Sequence, residues 1–125
     1  MTENELATII VDAAFKVHTT LGPGLLETVY QAALGYELEK RGLRVVLERG
    51  IPAVYEEVRL ELGFRADIIV ENKVIIEVKS IEALAPVHGK ILLTYLRLTD
   101  LRLGLLINFN VALIKDGIRR VVNDL

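Results

Sequence analysis

Leu6, Ile9, Ile10, Ala13, Ala14 and Val17 recur at spacings of three and four, which predicts an amphipathic helix over residues 4–20. Leu21-Gly22-Pro23-Gly24 ends it, because two glycines around a proline favour turn geometry and interrupt helical hydrogen bonding. A second helix is predicted over residues 25–41, with Leu26, Val29, Tyr30, Ala33, Leu34 and Leu38 on one side. Lys40 and Arg41 in its last turn and Gly42 beyond them suit a helix C-terminus. The two helices form a hairpin.

The period then falls to two. Val45 and Leu47, then Val54, Val58, Leu60 and Leu62, alternate with polar residues and read as strands. Residues 64–70 and 74–80 supply two more, joined by Glu71-Asn72-Lys73, so the centre is expected to be a β-meander. Pro86 suits the first turn of a third helix reaching about residue 98, with Ile91, Leu92, Tyr95 and Leu96 as its buried side. Residues 103–109 read as a buried strand, and Asp116-Gly117, flanked by residues 112–114 and 118–122, as a two-residue hairpin turn. The helix between Ser80 and Leu103 can cross between parallel neighbours. This order predicts an α/β (α+β) fold, a mixed sheet with helices packed on it, in one domain spanning residues 1–125.

With 52% hydrophobic and 26% charged residues, the chain has the material for a packed core, which excludes a disordered or collagen-like polymer. The absence of cysteine removes disulfides, thiolate nucleophiles and the usual structural zinc sites, and fits a cytoplasmic location. The longest apolar runs fall far short of the ~20 residues that span a bilayer, and no export signal is visible, so no membrane partner is expected. Fifteen basic against 17 acidic residues leave a net charge of −2, which argues against binding nucleic acid through charge alone. Small basic groups at Lys40-Arg41-Arg44, Arg97 with Arg102, and Arg119-Arg120 leave local contacts open.

The chemistry centres on Asp67 and, nine residues further, Glu77-Val78-Lys79. On a strand, Glu77 and Lys79 project from one face while Val74, Ile76 and Val78 face the other. If Val70 pairs with Val74 across residues 71–73, Asp67 falls opposite Glu77. Opposed like charges about 4.5–5.5 Å apart at their β-carbons destabilise a sheet. A hard divalent cation offsets that repulsion, and Lys79 beside it can orient or activate water, as phosphodiester hydrolysis requires. The alternative is that both carboxylates are solvated strand residues paired with Arg65 and Lys79.

Asp67 with Glu77-x-Lys79 resembles the PD-(D/E)XK nuclease superfamily, and Gly24-Leu-Leu-Glu27-Thr-Val-Tyr30 resembles the signature of its GxxExxY family. The likeness extends through Val17-His18, Leu21 to Gly24, Tyr36-Glu37-Leu38, Ala83-Leu84, Pro86-Val87-His88, Leu92 to Leu96 and Gly104 to Phe109. It implies a restriction-endonuclease-like core, a central mixed sheet flanked by helices. It implies a nuclease acting on DNA in preference to RNA, with Mg2+ or Mn2+ held by Asp67, Glu77, the Val78 carbonyl and Glu27, and with Lys79 as the catalytic lysine. Tyr30, His88 and Tyr95 are implied as supports of the site or substrate. By itself Glu27 reads as a favourable charge in a first helical turn, and Tyr30 as core. His18, near a helix end, reads as a hydrogen-bonding residue.

Two positions depart from the family pattern. Ala66 replaces its proline, which carries no metal-binding atom. Ile91 stands where family members commonly place Gln four residues before Tyr95, removing a polar group near the metal or phosphate. That loss supports an alternative: a catalytically inactive nuclease-like module for nucleic-acid or protein binding. An active subunit that needs a protein partner, and a homo-oligomer formed through the apolar C-terminal strand, are further expectations.

Overall fold

A computed structural model describes residues 1–125. Helix α1 (Glu3–Leu21) starts on Thr2, whose hydroxyl accepts the Glu5 N–H while the Glu5 carboxylate accepts that of Thr2. Helix α2 is Glu27–Lys40, two residues shorter at its start than the pattern predicts. Leu26 and Val29 are exposed instead of packed, because the buried stripe runs through Tyr30, Leu34, Glu37 and Leu38. Glu37 is tolerated there because Lys16, Lys40 and Arg41 all reach its carboxylate.

Strands β1 (Val45–Tyr55), β2 (Val58–Val70), β3 (Val74–Lys79), β4 (Leu103–Asn108) and β5 (Ile118–Val122) form a sheet in sequence order. Only β3 and β4 are parallel, joined by helix α3 (Pro86–Thr99), as the predicted crossover requires. Helices α1 and α2 pack on one face of the sheet, with Ile68, Val74, Ile76, Val78, Leu105 and Ile107 beneath them. Helix α3 covers the other face through Leu92 and Leu96, against Ile69, Ile75 and Leu106. Gly104 permits the close crossing: a β-carbon there would sit 2.7 Å from the Leu92 side chain. Ile91, expected on the buried side of α3, is 40% exposed.

Two further expectations are corrected. Val54, Val58, Leu60 and Leu62 do not share one strand: β1 turns back at Glu56-Glu57, where Glu56 has φ of 55°, and β2 runs unbroken past residue 64. Asp116-Gly117 is no hairpin turn. It lies in a short 3-10 helix, Ile114–Gly117, and β5 pairs with β4 instead of with residues 112–114. A β-carbon on Gly117 would lie 2.1 Å from the Asn108 carbonyl oxygen, so close backbone approach, not a turn, demands glycine.

Candidate active site

The β2–β3 hairpin pairs Val70 with Val74, Ile69 with Ile75 and Ile68 with Ile76, and there the ladder stops. Its turn places Glu71 and Asn72 at φ of 51° and 52°. On the β1 side, Leu47 pairs with Ile68 and Arg49 with Ala66, but Glu48 and Asp67 between them do not pair. Glu48 has φ of 51°. The inside–outside alternation reverses at this step, since Phe64 and Ala66 face α3 whereas Ile68 and Val70 face the helical pair. The irregularity turns the Asp67 carboxylate towards β3, where Oδ2 accepts the Val78 N–H at 2.8 Å.

Glu77 lies on the α3 face of β3, opposite to Val74, Ile76 and Val78, as strand alternation predicts. It is 6% exposed, and its Oε1 has no hydrogen-bond partner. Burial is the main reason its carboxyl is pushed up to about 9; hydrogen bonding to Asp67 and the Asp67 charge add to this, while Lys79 opposes it. The two observations agree: an ionised pair contains no donor, whereas a proton on Glu77 lets it donate to Asp67. Half-buried Lys79 ends β3.

Tyr95 comes to the same place from α3. Its ring stacks on Phe64 at 3.7 Å between centroids, and its hydroxyl is held above its ordinary range by burial and then by the charges of Glu77 and Asp67. One turn earlier, Ile91 presents only hydrocarbon. His88 is engaged locally: its Nδ1 accepts the Ala85 N–H at 2.8 Å and so ties down the start of α3.

Glu27, the first residue of α2, reaches the end of β3, where Oε2 accepts the Ser80 N–H at 3.3 Å. Ser80 Oγ donates to the Leu25 carbonyl at 2.6 Å. No group of three or more Asp, Glu or His side chains converges to hold a metal, so Glu27 does not complete a triad with Asp67 and Glu77. Tyr30 is fully buried and stacked on Phe109 at 4.5 Å. Its hydroxyl donates to Gly22 O at 2.5 Å and accepts the Leu25 N–H at 3.1 Å, pinning the loop before Glu27.

Asn108, part of the Gly104 to Phe109 likeness but given no role there, is a supporting residue. It is 1% exposed; its Oδ1 accepts the N–H groups of Ile81 and Asn110, and its Nδ2 donates to Ile81 O. It thereby fixes the segment that leaves β3. The available signal was a side-chain amide at the end of an otherwise apolar strand.

The site thus joins two carboxyl groups that make no ion pair, one ammonium at the strand end and a tyrosine hydroxyl. A family model of the PD-(D/E)XK nuclease superfamily matches residues 4–121. The crystal structure of SSO0001 aligns with a TM-score of 0.56 at 20% sequence identity, over 98% of this chain and 60% of that one, a likeness of fold. This chain therefore spans less than two thirds of that protein's length. Among curated proteins, none matches the chain.

Proposed function

Because the chain belongs to the PD-(D/E)XK nuclease superfamily, we propose that it is a divalent-metal-dependent nuclease of the GxxExxY type, cleaving phosphodiester bonds in DNA in preference to RNA. The observation that carries this reading is the buried Glu77 carboxyl, with a partnerless Oε1, set against Asp67. A sheet gains nothing from such a pair, whereas a hard cation accepts oxygen donors of this kind. The donor set therefore fits Mg2+ or Mn2+, with Asp67, Glu77 and the Val78 carbonyl as its protein ligands and Glu27 as a further carboxylate near the end of β3. When bound, the ion supplies Lewis-acid stabilisation of phosphoryl charge and lowers the pKa of water.

The chain's own groups have separable tasks. Lys79 orients the attacking water and stabilises negative charge on the phosphate. The Tyr95 hydroxyl, held beside the carboxyls by its stack on Phe64, supports the site from α3. Glu27, Ser80 and Leu25 hold the α2 loop against the end of β3. His88 keeps the first turn of α3 in place.

Calorimetric titration of Mg2+ and Mn2+ into the wild type and into Asp67→Ala and Glu77→Ala, followed by cleavage assays on DNA and RNA, tests this reading. Binding and cleavage lost in both variants support it. A folded wild type that cuts neither polymer in Mn2+ refutes it. The hydrocarbon of Ile91, exposed beside the site, favours a second reading, a nuclease-like module that binds without cutting. That reading requires nucleic-acid binding that is equal in chelator and in Mg2+.

A further inference from the structure

A cavity of about 380 Å3 opens between the last turns of α1, the Gly22-Pro23 turn and the segment at residues 112–115. It falls in the size range of small-ligand sites, about 300–1,000 Å3. The Phe15 ring, 60% exposed, and Leu113, 56% exposed, give it uncovered apolar walls. Pro23 adds apolar surface, His18 lies buried at the cavity wall with Nε2 against the Val111 carbonyl at 2.8 Å, and Lys115, which makes no ion pair, supplies a cation. The exposed Phe15 ring with one free ammonium matches a nucleobase carrying a phosphate: the base stacks on Phe15 and the phosphate meets Lys115. An apolar peptide side chain would use the walls and leave Lys115 unused.

One loop joins the cavity to the end of β3, the strand that carries Glu77 and Lys79. The carbonyl of Gly22, in the cavity wall, accepts a hydrogen bond from the Tyr30 hydroxyl, and the same hydroxyl accepts the Leu25 N–H. Leu25 O then binds Ser80, whose N–H is bound to Glu27 at the end of β3. A second connection is aromatic: His18 lies 6.5 Å from Phe109, which stacks on Tyr30. Leu25 and Leu26, between the cavity's Gly22 and the Glu27 that meets the end of β3, are both exposed and leave this loop open to a ligand. Only a base released from its pairing partner can enter such a cavity.

We propose that this cavity is a nucleobase subsite, and that the substrate is an unpaired polynucleotide whose scissile phosphodiester lies at Asp67 and Glu77. The proposal rests on the nuclease reading and narrows its substrate to single-stranded or frayed nucleic acid. It is tested by titrating deoxyadenosine 5′-phosphate, then single-stranded DNA, single-stranded RNA and duplex DNA, into the metal-free full chain while recording amide shifts. Shifts should concentrate at Phe15, His18, Leu113 and Lys115, and Phe15→Ala and Lys115→Gln should each weaken single-strand binding by about tenfold. The DNA and RNA arms identify the preferred polymer.

Unmoved amides at these residues, unchanged affinity in both variants, or duplex binding with the same dependence on Phe15 overturns the proposal. Cleavage in Mn2+ separates it from the broader reading. Wild-type cleavage with a KM indifferent to Phe15→Ala keeps the nuclease and removes the subsite. Phe15-dependent single-strand binding without cleavage keeps the binding cavity but overturns its placement in a nuclease site. Circular dichroism of each variant verifies that it is folded.

Discussion

Asp67 Oδ2 accepts the backbone N–H of Val78 at 2.8 Å, so the side chain of one strand completes the hydrogen bonding of the next just where their ladder has ended. Asp67 thereby has a structural role separate from its proposed role towards a cation. Asp67→Ala leaves the buried Val78 N–H unpaired and should cost about 1–3 kcal/mol. Asp67→Asn retains an acceptor and should cost less than about 1 kcal/mol. Both should lose Mn2+ binding. Urea denaturation alongside calorimetry separates the effects, and equal stability of the two variants would refute the structural role.

Glu77 makes the metal-free protein sensitive to alkali. Its carboxyl is raised from 4.5 to about 9, so the folded chain retains a proton that the unfolded chain releases. The resulting stability is complete below pH 4.5 and is lost as pH rises towards 9. Glu77→Gln, neutral throughout, should flatten that decline and raise the melting temperature of the metal-free protein at pH 8, while abolishing metal binding. Wild-type metal affinity should rise with pH across the same interval, because binding expels the proton. Melting curves from pH 5 to pH 9 in chelator, with and without excess Mn2+, check both signs.

The Val70–Val74 pair across Glu71-Asn72-Lys73 was legible, but the ladder stops at Ile68–Ile76, so Asp67 meets β3 through the Val78 N–H and not as the paired neighbour of Glu77. The mixed sheet and its α3 crossover were legible because periods of two and of nearly four are written directly into the apolar positions. The reversal at Glu48 and Asp67 was not, since a left-handed glutamate leaves no mark in the hydrophobic pattern. Nor was the turn at Glu56-Glu57, which has neither glycine nor proline. Asp116-Gly117 misled in the opposite direction, because a glycine required for contact with Asn108 looks the same in sequence as one required for a turn. The stripe of α2 was legible at Tyr30, Leu34 and Leu38 but not at Glu37, a charged position whose burial depends on Lys16 from α1 as well as on Lys40 and Arg41.

That arrangement around Glu37 has its own pH signature. Lys16, Arg41 and Lys40 hold its carboxyl down to about 2 from an ordinary 4.5, despite burial acting in the other direction. A depressed value contributes stability above pH 4.5, lost as pH falls towards 2. Glu37→Gln should therefore destabilise the chain at pH 7 more than at pH 2.5. Denaturation midpoints at the two values test this, and an equal loss at both would show that packing, not charge, dominates.

Gly117 and Asn108 link the C-terminal segment to the site. Gly117→Ala drives a β-carbon into the Asn108 carbonyl, which belongs to backbone and cannot rotate away. The change should cost about 1–3 kcal/mol or more. Because Asn108 also fixes Ile81, the disturbance should reach the segment after β3. Hydrogen exchange should show faster exchange at the Ile81 amide in Gly117→Ala; unchanged protection there would show that the strain stays within the 3-10 turn.

Ile91 offers a test by gain of function. At 40% exposure it contributes little packing, so Ile91→Gln should change stability by no more than about 0.5 kcal/mol. The new amide lies one turn before Tyr95, whose hydroxyl already feels the charges of Glu77 and Asp67. A donor added there can bind a phosphate oxygen, and a hydrogen bond to a charged group is worth about 1.5–3 kcal/mol. Ile91→Gln should then raise kcat/KM for polynucleotide cleavage by about tenfold or more, with Asp67→Ala abolishing the gain. If a folded Ile91→Gln variant remains as inactive as an inactive wild type, the missing amide is not what withholds catalysis, and the binding-module reading takes precedence.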